Sequence, residues 1–421
     1  MTFIKLTKYL IILSLIPAIY YAFFPGKIVL ITVICSYPLI FPLIYFSKKS
    51  NKSYIDGKIY ISLFIIYSII LFLRGIMNVK SHYDLGNLLT DLPIYLILPF
   101  TIYIGAYTSL LMTVIRTFFN YILPLSLILI FVPETYRPLG FAHTVSPIYL
   151  AILFMPYMKR KYSFFVITVA IIAVLHDLTV RTNIINTIAS LLIVMTFVFH
   201  KYQKSLYIIK IIRILLIFSP LVFVILSITG VFNVFEIQNF SNKTYTVMGR
   251  NDNKRDLLVD SRTSIYSDVF LQLYSSNAYY FGLGADGKTR TSLTDLPNTN
   301  FSSVYKGGRP GTESGMLNYI QWGGVLGFAF YYLLFITSSY YGIFKSNNWL
   351  CKMIGLWVVY KAFFSFIEDP QGFSVGSVFI FITIGICLNR RLRFMNDVEV
   401  KHLLRNGLHT KRKFSVSNIL S

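Results

Sequence analysis

Eight ionisable side chains in this sequence stand where they could act on a charged ligand: Arg74, Arg181, Arg262, Arg290, Arg309, Glu313, Glu368 and Asp369. Arginine keeps its charge at any ordinary pH, and its planar fork donates to two oxygens of one phosphate at once. Arginines drawn from separate stretches therefore suit an oxyanion clamp, and a carboxylate beside them can accept a proton from a hydroxyl. Purely structural roles compete with this chemistry. Asp177 and Arg181 stand at the i, i+4 spacing of a helical ion pair. Arg74, Glu368 and Asp369 lie at the ends of apolar runs, where they could serve as interfacial anchors, and Glu313 could be a solvated loop carboxylate.

Other chemistries find little support. No cluster of His, Cys or carboxylates has metal-ligand spacing, and no Asp-x-Asp occurs for holding a nucleotide-sugar through a divalent ion. The turn Tyr280–Gly287 is rich in glycine, but no Gly-Lys-Ser/Thr follows, so it is not a phosphate-binding loop. Cys35, Cys351 and Cys387 all fall inside apolar runs and read as small packing residues. A reaction without cofactor or metal is the expectation.

The elements that must position these residues are membrane spans. Hydrophobic residues make up 55% of the 421 and charged residues only 13%, a balance suited to lipid as solvent. About twelve apolar runs are long enough to cross a bilayer as helices. They centre at 8–24, 27–46, 58–76, 93–114, 117–133, 145–158, 163–178, 183–199, 210–232, 317–343, 350–367 and 373–388. The first reads as a retained span, since Ala22-Phe23-Phe24-Pro25 is a poor cleavage site.

The net charge of +22 suggests nucleic acid only until the basic residues are placed. Lys48 to Lys58, Arg116, Lys159 to Lys161, Lys201 with Lys204, Lys345 and the tail 389–421 fall in alternate loops. The positive-inside rule makes these cytoplasmic, with both termini inside, and lipid rather than nucleic acid is the expected partner of the basic tail. The opposite side receives the predicted polar loops 77–92 and 133–144, the turns at 177–181 and 368–372, and one long hydrophilic segment, 233–316. The predicted fold is thus an all-α integral membrane protein, a single polytopic domain of about 12 transmembrane helices with one large extracytoplasmic loop between spans 9 and 10.

A connection of about 80 residues is usually functional. Within it, Asp260 or Ser261 can cap a short helix over 260–271 that carries Arg262 near its start. The glycine turn Gly282-Leu283-Gly284 follows. The segment ends at Arg309-Pro310-Gly311-Thr312-Glu313-Ser314 and runs into a span containing Gly323-Gly324-Val325-Leu326-Gly327, whose small residues allow close packing.

The order of these pieces, with His176-Asp177-Leu178-Thr179-Val180-Arg181 opening a span upstream, resembles the O-antigen polymerase and ligase superfamily, membrane enzymes that join glycans delivered on undecaprenyl diphosphate. The motif-level resemblance covers about 176–330. It implies a bacterial inner-membrane glycosyltransferase that moves a glycan from a lipid diphosphate to a sugar hydroxyl, with a flippase and a chain-length regulator as partners. For such a reaction Arg181 and Arg262, the latter at the position the family match falls on, are the expected diphosphate clamp and Glu313 the expected general base; Arg290 and Arg309 in the same loop, and Arg74, Glu368 and Asp369 at the outer ends of spans, are expected to bind substrate. Ligases of the superfamily place a His, usually His-Asn, where this chain has Glu313-Ser314, which favours polymerisation over ligation. A flippase for the same lipid-linked glycans is the remaining alternative.

Overall fold

The computed structural model describes residues 3–14, 55–128, 146–176, 181–199, 204–229, 246–248, 254–256, 262–290, 308–309, 311–312, 314–368 and 372–409. Helices dominate these residues. In chain order they are α1 (Phe3–Leu13), α2 (Lys58–Asn78), α3 (His82–Leu96), α4 (Leu98–Ala106), α5 (Thr108–Thr117, continued through a π-helical turn, Phe118–Ile122, into a short helix, Leu123–Ile128), α6 (Ile148–Phe154), α7 (Arg160–His176), α8 (Arg181–Val198), α9 (Lys204–Ile228), α10 (Arg262–Ser275), α11 (Gly315–Phe344), α12 (Trp349–Phe364), α13 (Val375–Leu388), α14 (Arg390–Phe394) and α15 (Asp397–His409). One antiparallel pair, β1 (Thr246–Met248) and β2 (Lys254–Asp256), sits in the long polar segment with Val247 opposite Arg255.

Among the described residues, five stretches are long and apolar enough to cross a membrane: Lys58–Asn78, Asp84–Ala106, Thr108–Leu125, Ser205–Leu226 and Gly315–Phe344. Ile148–Tyr157, Thr182–Val198 and Val375–Leu388 are shorter apolar helices. Large apolar side chains cover their outer faces, as on α9, where Leu215, Phe218 and Leu221 are each more than half exposed; lipid is the solvent such a surface requires.

Side-chain caps mark where the best-defined helices begin. Ser314, Asn348 and Ser374 accept from the backbone N–H groups of Leu317, Cys351 and Ser377, at 3.3, 2.9 and 3.2 Å, satisfying donors that the first helical turn leaves open. In the core, α11 lies along α12, and α13 crosses α4 at Gly105 and Gly385. A β-carbon on either glycine would strike the opposite backbone, at Ile382 or Ile102, so the crossing depends on their lacking side chains. Cys351 and Cys387 are buried free thiols, as expected of packing residues, and Cys35 lies outside the described residues.

Four expectations need correction. The run 93–114 is not one span: the chain turns extended at Tyr107 (φ −111°, ψ 117°), which separates α4 from α5. Arg116, expected in a loop, lies inside α5. Most of the expected polar loop 77–92 is α3, capped by Ser81 and carrying Leu85, Leu88 and Leu92 at helical spacing among polar neighbours. The tenth span is interrupted, because Gly324 adopts φ 61°, ψ −157° in the middle of α11. The predicted second span and the loop 133–144 lie outside the described residues.

Candidate functional site

Several helix ends meet at one carboxylate. Glu368 follows the C-terminus of α12, and the turn that carries it is tied to the start of α11: Gly315 donates to the Glu368 carbonyl and Met316 to the Ser365 carbonyl, both at 2.9 Å. The Ser314 hydroxyl donates to the same Ser365 carbonyl at 3.0 Å. Tyr266, one turn into α10, donates to the Phe366 carbonyl at 2.8 Å and lies 2.9 Å from the Ser314 hydroxyl. Helix α10 is thereby clamped against both segments, and Ile265, Val269 and Leu273 pack on Met316, Leu317 and Phe366 beneath it.

This arrangement sets Arg262, the first residue of α10, within electrostatic reach of Glu368. From the other side the Thr182 hydroxyl faces the Glu368 carboxylate and favours its charged form. Thr182 is the second residue of α8, so Arg181, the first, starts its helix at the same place. Burial pushes the Glu368 carboxyl above its ordinary range, while Lys361, Thr182 and Arg262 pull it back. The Tyr266 phenol is likewise pushed up by burial, against Ser314 and Arg262. The N-termini of α8, α10 and α11 converge here, and their helix dipoles add partial positive charge to that of the arginines, although the first N–H groups of α11 are already taken by the Glu368 and Ser365 carbonyls and the Ser314 hydroxyl.

A buried polar layer supports the carboxylate from below. Lys361, 8% exposed, donates to the Asn186 side-chain oxygen at 2.7 Å, and Tyr360 donates to the same oxygen at 2.9 Å. The Tyr149 hydroxyl donates to Asn183 at 2.7 Å. The rings of Trp357, Tyr360 and Phe364 surround the lysine ammonium at 4.8, 5.6 and 5.1 Å. A charge held this deep in an apolar bundle is costly unless compensated, and the Asn186 oxygen, the surrounding rings and the field of Glu368 supply the compensation. None of Lys361, Asn183, Asn186, Tyr149 or Tyr360 is singled out by sequence reasoning. The available signal is Lys361 itself, the one charge inside Trp357-Val358-Val359-Tyr360-Lys361-Ala362-Phe363-Phe364.

A second centre is built around the glycine turn. The turn inserts where α11 breaks: Val325 and Leu326 donate to the carbonyls of Tyr279 and Tyr280 at 2.8 and 3.2 Å, while Leu283 and Gly284 donate to those of Gln321 and Trp322, both at 2.8 Å. Gly282 (φ 66°) and Gly324 (φ 61°) approach so closely that a β-carbon on Gly282 would strike the backbone of Gly323 and Gly324. Gly282-Leu283-Gly284 and Gly323-Gly324 are thus two halves of one contact, in which the turn satisfies the backbone groups that the kink frees. Tyr67 of α2 closes it by donating to the Gly323 carbonyl at 2.6 Å.

Arg74 belongs to this second centre. Its fork donates to the carbonyls of Phe281 and, at 2.9 Å, Gly282, and Asn78 holds the Leu283 carbonyl at 2.6 Å. These bonds tie Arg74 to the glycine turn. Arg309 forms a two-way backbone bridge with Thr289, at 2.8 and 2.9 Å, and Arg290 is exposed beside it. Gln321 donates to the carbonyls of Gly287 and Arg309, at 2.5 and 3.2 Å. Lys288 pairs with Asp84 of α3 at 2.5 Å. Asp286 is 9% exposed, and its Oδ1 has no hydrogen-bond partner among the described residues. Burial pushes its carboxyl up to about 7, opposed by Lys288 and reinforced by Asp84.

Arg262, Glu368 and the start of α8 are therefore brought together, whereas Arg74, Arg290 and Arg309 gather about 10 Å further along α11, near Gln321. The side chain of Arg181, and all of Glu313 and Asp369, lie outside the described residues. No group of three or more metal-ligating side chains occurs among the described residues.

Compared with known protein families, with curated proteins and with solved structures, the chain matches none of them.

Proposed function

We propose that this protein is a polymerase of bacterial surface polysaccharide, acting at the outer face of the cytoplasmic membrane on glycans linked to undecaprenyl diphosphate. In this reading the chain spans the membrane about twelve times with both termini inside, and 233–316 is the outer loop. The observation that carries it is the meeting of Arg262 and the first turn of α8, which begins with Arg181, at the Glu368 carboxylate. A lipid diphosphate is an anion that enters laterally at the membrane edge, and cationic side chains at converging helix N-termini are what such an anion seeks.

In the proposed reaction a sugar hydroxyl of one repeat unit attacks the anomeric carbon of another. The bond from that carbon to the diphosphate oxygen breaks, a bond to the hydroxyl oxygen forms, and the lipid diphosphate departs with the electron pair. Arg262 and Arg181 stabilise the charge that gathers on the departing group. Glu368 accepts the hydroxyl proton, its carboxyl lifted by burial toward a useful range. Glu313 remains a second candidate for that role, because it precedes Ser314, which is bonded to the Glu368 turn. The Lys361 charge, held by Asn186 inside the bundle, favours the ionised form of that carboxylate.

The test is reconstitution of the purified protein in vesicles with lipid-linked oligosaccharide. A ladder of lengthening glycans on the lipid carrier is expected. A single transfer to another acceptor would indicate ligation, and movement of the lipid across the bilayer without lengthening would indicate transport.

A further inference from the structure

At the opposite end of the bundle, α9 carries Lys210 and Arg213 on the face turned to α11. Arg213 is buried, and it donates through Nε to the Ser339 hydroxyl at 3.2 Å and through a terminal nitrogen to the Ile336 carbonyl at 3.1 Å. Its guanidinium lies 5.4 Å from the ring of Phe344, and the Lys210 ammonium lies 5.3 Å from the same ring. Tyr340 stacks on Phe344, and both rings are more than a third exposed. Two cations and two aromatic rings thus share one partly open seat beside the last turn of α11, at the depth where a span leaves the hydrocarbon.

Neither cation meets a carboxylate of this chain among the described residues. The acidic groups at this end are engaged elsewhere. Asp56 pairs with Arg393, Asp397 accepts from Tyr157 and from the Trp349 N–H, and Glu399 accepts from the Asn396 N–H at 2.8 Å. A buried guanidinium whose partners are a hydroxyl, a carbonyl and a ring retains most of its charge uncompensated, which is expensive near the hydrocarbon.

We infer that Lys210 and Arg213, with Phe344 and Tyr340, form a binding seat for the phosphate of an anionic phospholipid. In the orientation proposed above it takes a lipid of the inner leaflet, but the seat itself does not depend on the catalytic reading. The exposed apolar ridge of α9, including Ile214, Leu215 and Phe218, offers a surface for the acyl chains, and basic pockets between spans are places where acidic head groups lodge.

Native mass spectrometry of the purified protein in mixed phosphatidylglycerol and phosphatidylcholine micelles tests this without reference to activity. Preferential retention of phosphatidylglycerol is expected. Removing one charge in Lys210→Gln should weaken that retention about fivefold, and Lys210→Arg should restore it. Lys210 is only half-buried, so this pair remains informative even where Arg213→Gln fails to fold; Arg213→Lys then reports on the deeper position. Lys161→Gln, exposed on α7, should leave retention unchanged. Equal retention in Lys210→Gln, or an equal loss in Lys161→Gln, would overturn a specific seat in favour of general attraction. Displacement of the lipid by excess inorganic phosphate would identify a soluble oxyanion as the ligand and overturn the lipid assignment.

Discussion

Thr182, in the first turn of α8, faces the Glu368 carboxylate that closes α12 and helps to hold its proton affinity down. The contact joins two stretches more than 180 residues apart in sequence and sets the start of α8 beside the end of α10 that carries Arg262. Separated segments meet in this way when their helix ends share a polar centre that the apolar bundle cannot otherwise accommodate.

Loss of the carboxylate should stop chain extension. Glu368→Gln keeps the volume and the Thr182 contact but removes the base, so its rate is expected to fall by roughly a hundredfold or more, with the protein still present in the membrane. Chain-length analysis of glycans made by that variant is the check. Because burial raises the Glu368 carboxyl, the wild-type rate should climb with pH through a range above the ordinary carboxylate titration, as the base loses its proton.

Lysine substitutions separate a fork from a point charge. Arg262→Lys retains the positive charge but cannot donate two parallel bonds to a diphosphate. A rate loss of about tenfold to a hundredfold is expected, whereas a simple surface charge would tolerate the change. Initial rates in vesicles, taken with unchanged thermal stability, distinguish the two.

Docking of the glycine turn should depend on its lack of side chains. Gly282→Ala places a β-carbon against the backbone of Gly323 and Gly324, at a φ of 66° that alanine also resists. A cost of at least about 1 to 3 kcal/mol is expected. Faster proteolysis of the polar segment and a lower melting temperature in detergent would report it. Arg74→Lys should produce a milder form of the same defect, since one of the two carbonyl bonds to Phe281 and Gly282 is lost.

Asp286 gives stability a pH dependence of unusual sign. An unfolded aspartate releases its proton near pH 4, whereas the folded carboxyl holds it up to about 7. Between those values the native state binds a proton that the unfolded chain has lost, so stability should fall as pH rises from about 4 to 7 and level off beyond. Asp286→Asn should flatten that slope. Melting temperatures of the two proteins across the range provide the comparison.

The helices around the site are legible in the sequence where long apolar runs meet capping residues. Ser314, Asn348 and Ser374 bound α11, α12 and α13 within a few residues of the expected positions, and Asp260-Ser261 announces α10. Helix α3 is hidden because His82, Asp84, Asn87 and Asp91 interrupt its leucines, so the segment reads as a loop although the period is helical. The break at Gly324 is illegible for a different reason. A Gly-Gly pair fits close helix packing as well as a kink, and only the arrival of Tyr279 and Tyr280 decides between them. Arg262 is legible as a candidate from its place in the motif order, but the sequence puts Glu368 among the substrate-binding residues. Lys361 lies two turns back on its own helix, but Thr182 and the Asn186 that holds Lys361 lie on α8, and a single sequence carries no trace of that meeting.

The most direct measurement is a double-mutant cycle on chain-extension rate with Arg181→Lys and Arg262→Lys in reconstituted vesicles. If both guanidinium groups hold one diphosphate, the two changes should couple, the double variant being little slower than the slower single one. Losses that simply multiply, or full activity in Arg262→Lys, would contradict a shared site.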